Sequence, residues 1–211
     1  MAALDAACLR DGVLQPMPAS FYAVVPPKDL ALWAHQRGFY SLPTVELIDW
    51  LRAEIGGRTA VEIGCGHGAI GRALGIPFTD SKQQELPEMR ALYAQMGQPA
   101  IVYPGDVEHL TAAQAAEKYR PEVVIGAWIT HRYRQDRHPL GGNAHGVDEE
   151  ALLDKPFVRE YVMIGHQRPH ELKPLLRRKH EALNYPFVFS RSNDGGNRIF
   201  VWSKSAPVGI R

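Results

Sequence analysis

The chain has 211 residues, and its 24 Lys and Arg against 23 Asp and Glu leave a formal net charge of +1. At 45% hydrophobic and 22% charged residues it is composed like one globular domain, which excludes the disordered and fibrous classes; the near-neutral charge argues against a dedicated nucleic-acid binder, which carries a basic excess. Cys8 and Cys65 are too few for a disulfide framework, residues 1–13 contain no apolar signal core, and no run approaches the ~18 apolar residues of a membrane span, so a cytoplasmic protein without membrane association is expected.

In chain order, residues 1–27 hold four prolines and little periodicity, and read as an irregular arm. A helix is expected from about Pro27, where a missing N–H costs nothing, to Gly38. Thr44 opens a second helix with Val45, Ile48, Leu51 and Ile55 on one face, and Gly56-Gly57 stops it. Short apolar runs at 59–63, 76–80, 100–103, 122–127 and 160–164 then read as buried strands. Helical segments are expected between the first four, at 69–74, 87–96 and 111–119, the last with a capping box of Thr111 and Gln114. That alternation implies crossover connections and a doubly wound α/β fold with a mostly parallel sheet. Residues 185–191 and 198–202, joined by Asn193-Asp194-Gly195-Gly196-Asn197, read as a closing antiparallel hairpin. The expected organisation is an arm (1–27), one domain (28–204) and a tail (205–211).

The most informative stretch is Val61-Glu62-Ile63-Gly64-Cys65-Gly66-His67-Gly68-Ala69-Ile70-Gly71, after a predicted strand and opening a helix. Glycines let a ligand approach the backbone, and the helix start offers free N–H groups to an anion. Gly66-x-Gly68-x-x-Gly71 satisfies a dinucleotide fingerprint, as in NAD-binding Rossmann proteins. Glu62-x-Gly64-x-Gly66-x-Gly68 instead resembles the first motif of class I S-adenosylmethionine-dependent methyltransferases. The second parse is favoured because an acidic Glu62 suits a zwitterionic amino acid better than a pyrophosphate. The helices upstream of the first strand and the closing hairpin resemble that family as well. The resemblance implies a Rossmann-like seven-stranded sheet closed by an antiparallel C-terminal hairpin, with S-adenosyl-L-methionine as cofactor. It implies that Glu62, Gly64, Cys65, Gly66, His67 and Gly68 cradle the methionine end and Asp80 holds the ribose hydroxyls. Asp106 would accept from the adenine amino group, with Val107 and Trp128 beside the cofactor. It covers about residues 40–204 and becomes generic beyond Ala127, where Trp128 stands in place of the acidic residue many relatives carry.

In open α/β sheets ligands bind outside the carboxyl ends of the strands, so acceptor contacts are expected in the loop from Trp128 to His138. The loop lacks the Asn/Asp-Pro-Pro-aromatic motif of adenine and cytosine amino methyltransferases, and there is no Pro-Cys nucleophile; both absences favour a small-molecule acceptor. Its local basic character keeps a nucleic-acid or protein acceptor open, and a non-catalytic relative is a further alternative. An acceptor that must lose a proton wants a base near neutrality. His131 leads, with Tyr40 and His145 as further catalytic candidates. His131, His138 and His145, or His166 and His170, complete no tetrahedral metal set, so no metal is expected.

Overall fold

The structure is a computed structural model that describes residues 1–132 and 141–204. The basic stretch around His138 and the expected tail therefore lie outside the described residues.

Residues 1–27 are not an irregular arm. Helix α1 (Ala2–Cys8) leads into a hairpin of β1 (Leu9–Arg10) and β2 (Val13–Leu14), followed by α2 (Ala19–Ala23) and α3 (Pro27–Gln36). Asp11 and Gly12 both take positive φ, the combination a two-residue hairpin turn needs. Cys8, Leu14, Tyr22, Leu30, Trp33 and Phe39 share one core, and the Trp33 indole N–H donates to Asp5 at 2.9 Å. Pro16, Pro18, Pro26 and Pro27 sit at element boundaries, and the apolar side chains between them were the signal that a periodicity search misses.

Next come β3 (Ser41–Leu42) and α4 (Val45–Ile55). The Thr44 hydroxyl accepts from the Leu47 N–H at 3.1 Å, and Gly56 ends α4 in the left-handed region. The alternating part follows as β4 (Ala60–Ile63), α5 (Ala69–Leu74), β5 (Phe78–Asp80), α6 (Pro87–Gln95), β6 (Glu108–His109), α7 (Ala112–Tyr119) and β7 (Val123–Ala127). The chain continues through α8 (Glu149–Asp154), β8 (Glu160–His166), α9 (Gln167–His170), β9 (Glu181–Leu183), β10 (Phe189–Ser190) and β11 (Asn197–Ser203). The α7 capping box forms as expected; α8, whose N-cap Asp148 accepts from the Ala151 N–H at 3.0 Å, was not anticipated.

Seven strands form one sheet in the order β6-β5-β4-β7-β8-β11-β9, and only β11 runs against the rest. Alternate residues serve opposite faces: Tyr161 and Met163 pack with Ala115 and Ala116 of α7 and Leu152 of α8, while Val162 and Ile164 pack with Leu47 and Leu51 of α4. Both faces are thus covered by helices, which makes the fold doubly wound and Rossmann-like.

Two expected strands moved. Residues 100–103 form no strand; the third sheet position belongs to Glu108–His109. The Ile101 N–H donates to the Gln84 side chain at 2.9 Å instead of to a ladder, between Pro99 and Pro104. The antiparallel hairpin closing the sheet pairs β11 with β9, not with residues 185–191. Pro186 denies that run a ladder donor. Tyr185 stacks on Phe187 and approaches Trp50 of α4, and β10 pairs with β3 in a separate ribbon.

Candidate functional site

A cavity of about 610 Å³ opens at the carboxyl ends of β4, β5 and β7, where a parallel sheet presents its loops. That is the size of a small-molecule site. Its floor is the glycine loop through Gly64, Cys65, Gly66 and His67; Gly64 and Gly66 take positive φ, as does Gly68, which does not line the cavity. The loop is tied down from below: the Cys65 N–H donates to the Thr79 carbonyl at 3.0 Å, and the Gly66 N–H to Asp80 at 2.9 Å. Burial pushes the Cys65 thiol up, and pushes the His67 imidazole down to about 4, so both are uncharged at neutral pH.

Glu62 lines the cavity although only 1% of it is exposed. One oxygen accepts from the Gly71 N–H at 2.7 Å. Burial pushes its carboxyl up to about 8, against the pull of that N–H. Gly71 is glycine for want of space: a Cβ there would lie 2.6 Å from the Phe78 Cβ and 2.8 Å from a Glu62 oxygen. Asp80 ends β5 and is 6% exposed. Its carboxylate takes the N–H groups of Gly66 and, at 2.7 Å, Lys82, with Tyr103 also bonded. Burial raises its pKa and these donors oppose the rise. A carboxylate offers about four lone-pair sites, so Asp80 retains acceptor capacity toward the cavity.

Asp106 and Val107 are elsewhere. The Asp106 side chain is 55% exposed and forms a two-pronged ion pair with Arg72 at 2.8 and 3.0 Å, which holds its pKa below the usual range. Arg72 in turn donates to the His67 and Gly68 carbonyls, both at 3.1 Å, and lies over Phe78. Asp106 thus braces the glycine loop through Arg72, while Val107 is buried and neither residue lines the cavity. Gln84, Ile101 and Tyr103 line that end instead. Tyr103 stood at the carboxyl end of an expected strand, which was its one legible signal.

At the other end, β7 stops at Ala127, and Trp128 turns the chain with φ +55°, a costly conformation for a bulky residue. The turn drives Ile129 into space that Gly64 and Gly126 leave open; a Cβ on either would lie 2.5 Å from the Ile129 side chain. Trp128 and Tyr40 both line the cavity, their ring centroids 6.0 Å apart, and the Tyr40 hydroxyl meets that of Tyr93 at 3.4 Å.

Of the three catalytic candidates, Tyr40 and His145 line the cavity and His131 does not. The His131 carbonyl accepts from the Asn143 N–H, the Arg132 N–H donates to the Val147 carbonyl and the Val147 N–H to the Thr130 carbonyl, so residues 143–147 form a flap against 130–132. His145 in that flap faces Glu88 of α6 at 3.6 Å. The acidic run is engaged at home: Asp148 caps α8, Glu149 binds Lys173 and Tyr161 in the core, and Glu150 meets Arg178. Among the described residues no group of three or more His, Cys, Asp or Glu could hold a metal ion, and no helix is long and apolar enough to cross a membrane.

No family model and no curated protein matches the chain. Among solved structures it is similar to the hypothetical protein TTHA0928 of Thermus thermophilus, with 19% identity over 92% of this chain and 94% of that one and a TM-score of 0.40. It is also similar to the catalytic domain of hMettl16 in complex with the MAT2A 3′UTR hairpin 6 (15% identity, 99% and 80% covered, TM-score 0.38). A third is SMU.776, provisionally described as a methyltransferase and complexed with SAH (9% identity, 72% and 48% covered, TM-score 0.35). The Rossmann-like assignment stands on the strand order and helix layers of this chain itself.

Proposed function

We propose that the protein is an S-adenosyl-L-methionine-dependent methyltransferase with a small-molecule acceptor, acting in the cytoplasm through a single domain that the N-terminal elements share. The observation that carries this reading is the placement of two buried carboxylates, Glu62 and Asp80, on the two sides of one glycine loop at the cavity floor. A buried carboxyl held near neutrality has its charge restored by a ligand cation, and the ammonium of a methionine moiety is such a cation. When bound, the cofactor supplies an electrophilic methyl group on a sulfonium. The chain's part is alignment: Asp80 and the glycine loop fix one end, and Tyr40, Tyr93 and Trp128 wall the space for an acceptor. Tyr40 and His145 are the cavity-lining groups available to move an acceptor proton.

Calorimetry with S-adenosylmethionine, S-adenosylhomocysteine and NAD tests the reading. Binding of both sulfur ligands is expected, and tight NAD binding without response to either would overturn it. Asp80→Ala should weaken S-adenosylhomocysteine by ~1–3 kcal/mol, about 5- to 150-fold; an unchanged dissociation constant would leave Asp80 a loop tie only.

A further inference from the structure

Of the described tyrosines, Tyr40, Tyr93 and Tyr103 line the cavity, and their hydroxyls are not equally occupied. The Tyr103 hydroxyl is committed to Asp80. Tyr40 stands one residue before β3 and Tyr93 lies on α6. Among the described residues their hydroxyls have only each other, that of Tyr40 donating to that of Tyr93 at 3.4 Å. A good O–H···O bond is ~2.7–2.8 Å long, so the two hydroxyls meet without satisfying each other.

Tyr40 is fixed from behind. The Arg191 N–H donates to its carbonyl at 3.1 Å, and the Arg191 guanidinium covers one face of its ring, 3.9 Å from the centroid. With that face covered, Tyr40 meets a ligand through its hydroxyl and its edge. Burial pushes the Tyr93 phenol up, so it keeps its proton at neutral pH. A hydroxyl carries one proton and two lone pairs. The bond between the pair uses the Tyr40 proton, which leaves the Tyr93 proton and lone pairs on both oxygens to spare. A ligand hydroxyl complements that set, accepting from Tyr93 and donating to Tyr40. A ligand carbonyl could take only the proton, and a ligand ammonium only the lone pairs. An oxygen ~2.8 Å from each hydroxyl closes a triangle whose third side is the observed 3.4 Å.

We propose that Tyr93 selects the acceptor: together with Tyr40 it reads a hydroxyl group, and the molecule the pair admits is a small hydroxylated aromatic. Leu86, Ile101 and Trp128 also line the cavity and give a flat ring apolar walls. Calling this ligand the acceptor rests on the methyltransferase reading; the hydroxyl-reading pair itself does not. A site built to hydrogen-bond a hydroxyl rejects the analogue that lacks it, because its own polar groups are then left unpaired.

The test uses the full chain with tyrosine labelled with ¹³C at Cζ, the ring carbon that bears the hydroxyl, and runs with and without S-adenosylhomocysteine. The Tyr40 and Tyr93 resonances are identified as those lost in Tyr40→Phe and Tyr93→Phe. Phenol should shift both resonances saturably, and toluene, of the same shape without the hydroxyl, should bind at least tenfold more weakly. Tyr93→Phe should weaken phenol at least fivefold while changing toluene and S-adenosylhomocysteine less than twofold. Equal binding of phenol and toluene, phenol binding unchanged in Tyr93→Phe, or resonances that do not move would each overturn the pair. A Tyr93→Phe protein that loses S-adenosylhomocysteine as strongly as phenol would assign the pair to the cofactor and overturn its role in selecting the acceptor. Should S-adenosylhomocysteine fail to bind the parent protein at all, the methyltransferase reading falls, while the phenol titration run without it still decides the hydroxyl-reading pair.

Discussion

The two ends of the cavity are built on opposite principles. At the glycine loop every carboxylate has backbone donors or a braced partner: Glu62 holds Gly71, Asp80 holds Gly66 and Lys82, and Asp106 holds the loop through Arg72. At the Trp128 end the backbone is strained, an indole N–H has no partner among the described residues, and a guanidinium rests on aromatic rings. The lesson is that the first end is cross-bonded throughout, whereas the second leaves a buried donor without a partner among the described residues.

The sharpest way to break this comparison is Gly71→Ala. Its methyl group meets the Phe78 Cβ and the Glu62 carboxyl, so it should destabilise the fold by about 1–3 kcal/mol and abolish cofactor binding. Thermal denaturation and calorimetry would show both. A variant that melts like the parent and still binds would mean that the floor is not close-packed.

Glu62→Gln should have a smaller, pH-dependent effect. With its carboxyl at about 8, Glu62 must give up a proton to face an ammonium, so S-adenosylhomocysteine affinity should rise between pH 6 and 8, by at most about tenfold per unit, then level off. The Gln variant should bind more weakly at pH 8 and lose the slope; an identical profile in both proteins would separate Glu62 from the ligand. Stability runs the other way. The folded value lies above the ordinary 4.5, so the ligand-free protein should lose stability as pH climbs from 4.5 through about 8, and the variant should not.

The smallest effect belongs to the other end. Trp128→Phe deletes an unpartnered donor, so its melting temperature should stay within a few degrees of the parent or rise. A loss as large as that of Gly71→Ala would show that this wall is as fully bonded as the floor, and the contrast would dissolve.

Local chemistry was legible where one short segment both states and satisfies a requirement. The Thr44 cap, the Gly56 stop, the Thr111–Gln114 box and the glycine loop each depend on neighbours within a few residues. Asp80 was legible too, since the end of a strand is a position that pattern alone can find. The misreadings share a cause. Residues 100–103 and 185–191 have the composition of strands, but a ladder needs a partner edge, and the Gln84 side chain, Pro186 and the face of α4 offered these runs other bonds. Asp106 was read as a ligand contact because nothing nearby in sequence shows that Arg72, 34 residues earlier, claims both its oxygens.

By itself the sequence determined the alternation of strand and helix, the glycine loop and the buried acid at its foot, because periodicity, capping and glycine's freedom act over a handful of residues. Only the tertiary structure decided that Asp106 braces instead of binding, that β9 and not residues 185–191 closes the sheet, and that Arg191 lies over Tyr40 beside Trp128. Those outcomes are competitions for one partner among groups far apart along the chain, and only folding brings the competitors together.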